Sequence, residues 1–110
     1  MDAFLGLDLG TSAIKALLID ETGRVVGSGA AEYPVRHPQP GWAEQDPDDW
    51  WNGAVAAIRQ ATGWAPTGVR VAGIGLSGQM HGTVLLGDRG TPIAPAVIVA
   101  DTRSWRQAAD

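Results

Sequence analysis

The stretch Gly6-Leu7-Asp8-Leu9-Gly10-Thr11-Ser12-Ala13-Ile14-Lys15-Ala16-Leu17-Leu18-Ile19-Asp20 decides how the rest of the chain is read. Ala3 to Asp8 reads as a buried strand that ends in a carboxylate, and Gly10 to Ser12 reads as a tight turn. Ala13 to Asp20 is a second β-favouring run, with apolar and β-branched side chains between the two turns. Asp20-Glu21-Thr22-Gly23 is the next turn signal, and Arg24 to Glu32 begins a third strand rich in Val, Gly and Ala. Three strands joined by such short turns predict an antiparallel meander, because parallel neighbours need a long crossover.

Outward from this meander the pattern changes. Residues 34–47 hold Pro34, Pro38, Pro40 and Pro47 and read as a loop, with Trp42 as its apolar anchor. Asp46-Pro47-Asp48-Asp49 is a helix start: a capping carboxylate, a proline for the first turn, and acids that oppose the helix dipole. Trp51, Ala54, Val55, Ile58 and Ala61 then recur at helical spacing, and Gly63 is placed to end the helix. Trp50, Trp51 and Trp64 read as packing residues on it. Val69 to Leu76 is a further buried strand, followed by the turn Gly78-Gln79-Met80-His81-Gly82. Thr83 to Leu86, the Asp88-Arg89-Gly90 turn and Ile93 suggest a second hairpin. Ala96 to Ala100 is a last apolar strand ending at Asp101, and a helix carrying Trp105 begins from Thr102. Strands, a helix and further strands predict a mixed α/β sheet covered on at least one side.

Composition narrows the function. The chain has 110 residues, an ordinary 45% of apolar residues, and a net charge of −4 without any basic run. Nothing in it predicts an electrostatic grip on nucleic acid or an anionic membrane. It has no cysteine, which excludes disulfides and thiolate metal sites and fits a reducing, cytoplasmic setting. No apolar segment is long enough to predict membrane insertion.

Three strands run into polar groups: Asp8 with Gly10-Thr11-Ser12, Ser77 to His81, and Asp101-Thr102-Arg103. Were those strands parallel neighbours, all three groups would face one crevice at the C-terminal edge of the sheet, where open α/β sheets bind ligands. Gly10, Thr11 and Ser12 have the parts of a phosphate-handling turn, namely close backbone approach, free N–H groups and two hydroxyls. Asp8 could hold Mg²⁺ directly or through water, and Lys15, the single lysine, could reach an anion as a point charge. The alternative is a tight hairpin with a satisfied Asp and an exposed Lys. The pattern is not a P-loop, since GxxxxGK[ST] is absent. Gln79 and His81 supply donors and acceptors for a polyhydroxylated ligand and Met80 an adaptable apolar contact, the alternative being an ordinary glycine-flanked turn. No second histidine or carboxylate stands at helical spacing from His81, which argues against a metal there. His37 reads as an exposed loop residue, Asp101 as a pocket residue or a helix cap, and Arg103 as a surface or ion-pair residue rather than a ligand contact.

Taken together, "GLDLGTSAIKALLID" at 6–20, "GWAEQDPDDWW" at 41–51 and "GIGLSGQMHGTVLL" at 73–86 resemble the N-terminal part of the FGGY carbohydrate kinases, and the last resembles their xylulokinase branch in particular. The resemblance implies a ribonuclease H-like, actin-like ATPase fold, with ATP and sugar meeting in a cleft between two domains. It implies phosphoryl transfer from MgATP to the 5-hydroxyl of D-xylulose. Asp8 is then the acidic residue near Mg²⁺, Thr11 and Ser12 belong to the phosphate hairpin, Met80 and His81 contact the sugar, and Asp101 lines its pocket. The family departs from this chain in two places. A Trp-Asn-Asp or Trp-Gln-Asp sequence is usual where this chain has Val99-Ala100-Asp101. The family's base aspartate, second phosphate motif and adenosine site also lie beyond position 110. Residues 1–110 are therefore expected to be an incomplete N-terminal lobe, inactive alone and a candidate for self-association. The competing expectations are a kinase of another ketose or polyol, and a non-catalytic sugar- or phosphate-binding module.

Overall fold

The computed structural model describes residues 1–109. The meander is present: β1 (Asp2–Leu9), β2 (Ala13–Asp20) and β3 (Val25–Glu32) pair antiparallel in sequence order. Asp20 closes the second turn, its Oδ1 accepting from the N–H groups of Thr22 and Arg24, while Gly23 sits at φ 85°. Residues 34–47 are not all loop, for they include the two-residue strand β4 (Glu44–Gln45). Helix α1 (Pro47–Trp64) follows, capped at Asp46, whose side chain accepts from the Asp48 N–H at 2.9 Å. It runs one residue past Gly63 and ends at the extended Ala65, because a residue preceding proline, here Pro66, disfavours helical geometry.

Side-chain volume decides how α1 sits. Gly53, Ala57 and Ala61 are its buried residues, with Trp50, Ala54 and Ile58 packed beside them. They lie over Gly27 and Gly29 of β3, where an added Cβ would stand 2.1 Å from the Ala61 carbonyl oxygen and 2.2 Å from that of Ala57. Helix and strand thus touch backbone to backbone, and only small residues fit the seam. Two expected packing residues point elsewhere as a result: Trp51 and Trp64 are 71% and 77% exposed. The core is the layer between α1 and the meander, made by Ala3, Leu5, Ile14, Ala16, Leu18, Tyr33, Ala57 and Ala61.

Strand β5 (Arg70–Gly78) returns parallel to β1 and gives the sheet order β3-β2-β1-β5. The expectation that it is buried fails: Ile74 is 62% and Leu76 79% exposed. Helix α1 packs on β2 and β3 and leaves β5 uncovered. The last apolar run is not a third parallel neighbour either. Only β6 (Ala96–Val97) forms, antiparallel to β4 in a separate two-stranded sheet, and Val99-Ala100 turn so that the Asp101 N–H reaches the Ile98 carbonyl at 2.9 Å. The second hairpin is present as the bridge Leu86–Pro92 and the bond from Ile93 N–H to the Leu85 carbonyl, without a continuous ladder because Pro92 has no N–H. Helix α2 (Trp105–Ala109) is a short final turn. The radius of gyration is 16.9 Å, against about 13 Å for a compact domain of this length, so much apolar surface stays open.

Candidate functional site

Parallel pairing of β1 with β5 brings the first two polar groups together, with Asp8 opposite Ser77 and Leu9 opposite Gly78. The hairpin beyond β1 is closed by the Gly10 N–H donating to the Ala13 carbonyl at 2.9 Å. A Cβ at Gly10 would lie 2.8 Å from that carbonyl oxygen, so the turn requires glycine.

The hairpin's carbonyls are held from one side. The Gly10 carbonyl accepts from the Tyr33 hydroxyl and from Gln79 Nε2, the Thr11 carbonyl from Gln45 Nε2, and the Ser12 carbonyl from the Tyr33 N–H. In a trans peptide the C=O and the following N–H point oppositely. Pinning the Gly10 and Thr11 carbonyls therefore turns the N–H groups of Thr11 and Ser12 the other way, on the side of the exposed hairpin. Among the described residues the Thr11 and Ser12 hydroxyls have no hydrogen-bond partner, which leaves an edge of donors suited to an anion. Burial raises the Tyr33 phenol above its ordinary pKa, and the negative charge of Asp8 raises it further, so it stays a neutral donor at physiological pH.

Asp8 is exposed, and Lys15 lies directly across the β1–β2 pair from it. Both line a concavity of about 920 Å³, together with Ser77 of β5 and with Gln60 and Trp64 from the end of α1. Within the loop after β5 the residues divide. Gln79 turns inward, its Nε2 donating to the Gly10 carbonyl at 3.1 Å and to Gln45 Oε1 at 2.9 Å. Its own Oε1 is buried without a partner. Met80 is 73% exposed, and His81 is exposed at φ 59°, a left-handed conformation uncommon outside glycine. Met80 and His81 are thus presented to solvent beside the hairpin.

Asp101 arrives by a different route from the one expected. Its Oδ2 accepts from the Ala43 N–H at 2.7 Å, and Arg103 Nη2 pairs with the same oxygen at 2.6 Å and with Glu44 at 2.8 Å. The Arg103 guanidinium also stacks on Trp42, 3.9 Å from the ring centroid. Arg103 holds the Asp101 carboxyl well below the usual carboxylate range, helped by the Ala43 N–H and opposed by desolvation. This clasp fixes β4 beside the turn after β6. It confirms Arg103 as an ion-pair residue and commits the Asp101 carboxylate to protein groups. Val99 stands 55% exposed just before it.

Gln45 is the residue that sequence reasoning passed over. It is 1% exposed, and its amide joins the hairpin, the first turn of α1 through Trp50 Nε1 (3.0 Å), and Gln79. The available signal was a glutamine immediately before the capping Asp46, a place where a polar side chain is turned back toward the sheet the helix packs on.

A strand turn with free hydroxyls stands beside a Gln-Met-His loop at the ends of two parallel strands of an α/β scaffold. The chain belongs to the FGGY family of carbohydrate kinases, whose N-terminal domain matches residues 3–109. It is 37% identical over 106 residues to a xylulose kinase of Staphylococcus xylosus, which covers 96% of this chain and 22% of that protein. It is 39% identical over 106 residues to a glycerol kinase of Paracidovorax citrulli, covering 94% and 21%. Among solved structures, a xyloylose kinase from Brucella ovis superposes with a TM-score of 0.89 at 47% identity, over 97% of this chain and 22% of that one. The chain thus spans about a fifth of the length of the relatives it matches.

Proposed function

We propose that this chain is the sugar- and phosphate-facing N-terminal lobe of a xylulose kinase, which transfers a phosphoryl group from MgATP to the 5-hydroxyl of D-xylulose. The observation that carries the reading is the pinned hairpin, with the exposed Thr11 and Ser12 at its tip and its Gly10 carbonyl bonded to Gln79 of the loop that carries Met80 and His81. Phosphoryl transfer rests on positioning and on neutralising oxygen charge more than on covalent chemistry. Here the hairpin would bind phosphate oxygens, Lys15 would add positive charge, and Gln79, Met80 and His81 would border the sugar. Asp101, held by Arg103, would shape the pocket wall through the Ala43–Glu44 segment.

The described residues contain no group of three or more His, Cys, Asp or Glu side chains able to enclose a metal. A single exposed carboxylate fits Mg²⁺, which keeps several waters and takes phosphate oxygens as ligands. Asp8 is the residue to hold it, and the ion would screen the charge of the phosphate oxygens. The base that receives the hydroxyl proton belongs to a second domain.

The test is Asp8→Asn in the complete protein carrying this chain. Turnover of D-xylulose should fall by about 100-fold or more, with an unchanged melting temperature because Asp8 is exposed. Undiminished turnover would refute the assignment. Val99, standing where the family usually has an aromatic residue, favours a second reading in which another ketose or a polyol is preferred. A substrate panel of D-xylulose, other ketoses and glycerol decides between the two by kcat/KM.

A further inference from the structure

A buried glutamine needs its amide satisfied, and neighbours close in sequence usually suffice. Gln45 is different: one of its three bonds goes to Trp50, while the other two reach the hairpin and the loop after β5, each 34 residues away. Gln79 in turn bonds the Gly10 carbonyl, so Gly10, Thr11, Gln45 and Gln79 form a closed ring of hydrogen bonds. Two peptide planes belong to this ring. The plane held by Gln45 sets the direction of the Ser12 N–H, and the plane held by Gln79 sets that of the Thr11 N–H.

We propose that Gln45 is a positioning residue that couples the phosphate hairpin to the sugar loop, so that a ligand seated on one side tightens binding on the other. The proposal rests on the kinase reading above. Its physical basis is that the two amides act as struts of fixed length. Ordering Met80 and His81 on a sugar fixes Gln79, which fixes Gln45, which holds the Thr11 carbonyl and keeps the Ser12 N–H in its phosphate-facing direction. The first turn of α1 anchors the ring through Trp50, and Gln45 shares a backbone with Glu44 of the Asp101–Arg103 clasp.

Gln45→Glu separates this role from packing. The carboxylate keeps the acceptor used by Trp50 and Gln79 but loses the donor to the Thr11 carbonyl. In the complete protein, calorimetry should give a dissociation constant for the magnesium complex of a non-hydrolysable ATP analogue about fivefold or more lower with D-xylulose than without it. In Gln45→Glu that ratio should fall to about one. A merely structural role would lower the melting temperature and leave the ratio intact among folded molecules. Gln79→Glu, which breaks the same link from its other end, replaces Gln45→Glu if that variant does not fold, and should abolish the ratio equally. A folded variant that retains the wild-type ratio overturns the coupling alone, as does a wild-type ratio of one. A wild type that binds neither ligand overturns the kinase reading itself, and the coupling with it.

Discussion

Replacing Gly29 by alanine tests the claim that the helix–sheet seam places the site. A Cβ there would lie 2.2 Å from the Ala57 carbonyl oxygen, 2.7 Å from Gln60 Cβ and 3.1 Å from the Ala57 carbonyl carbon. Ordinary van der Waals contact begins near 3.4 Å, so α1 must retreat by about an ångström, and two of the three close atoms are backbone that cannot rotate aside. Retreat also unpacks Ala57 and Ala61, both fully buried. Overpacking usually costs about 1–3 kcal/mol, and a backbone clash belongs at or above the upper end. At about 4–8 °C per kcal/mol for a domain of this size, the melting temperature should fall by roughly 12 °C or more. Gly63→Ala is the matched control, since nothing lies within 4 Å of a Cβ there. It should stabilise by about 0.5–1 kcal/mol through helix propensity alone. Urea melts of both variants against the wild type measure the difference. A Gly29→Ala midpoint within about 0.5 kcal/mol of wild type would refute backbone-to-backbone packing of α1.

Three further outcomes follow from the site. Asp46→Ala removes the acceptor of the Asp48 N–H and should cost about 1 kcal/mol in the same urea assay, no loss meaning that the cap is idle. The Asp101–Arg103 clasp should be pH-dependent: a carboxyl whose pKa is lowered by folding contributes fully above the usual aspartate value of about 4 and loses that contribution as pH falls below it. The stability gap between wild type and Asp101→Asn should therefore be level from about pH 7 to 5 and shrink progressively below about 4, and a gap as large at pH 2 as at pH 7 would remove the argument. His81→Gly relieves a left-handed backbone and should leave the melting temperature level or higher, while D-xylulose affinity in the complete protein falls. Retained affinity would take His81 out of the sugar site.

Local signals were the legible part. The meander could be read because its turns are short and chemically explicit, down to Asp20 accepting from the residues that follow it. The start of α1 was equally plain at Asp46-Pro47, since capping depends only on adjacent residues. The tryptophans misled because helical spacing identifies a face without saying how close the facing sheet lies. The glycines of β3 bring that sheet within backbone contact, and Trp51 and Trp64 do not fit between. The run Ala96 to Ala100 misled because apolar character does not specify a pairing partner, and the partner is the short Glu44–Gln45 strand inside the proline-rich segment.

The sequence by itself determined the strand–turn–strand that presents Asp8, Gly10, Thr11 and Ser12, and the Gln79-Met80-His81 turn after β5, since both depend on residues adjacent in the chain. Only the tertiary structure decided that β1 and β5 place these groups side by side, that Asp101 is held in a clasp with Arg103, and that Gln45 ties hairpin to loop. Each of those depends on atoms far apart in sequence. A buried amide's role is set by which carbonyls the fold brings within 3 Å or so, and no local pattern contains that distance.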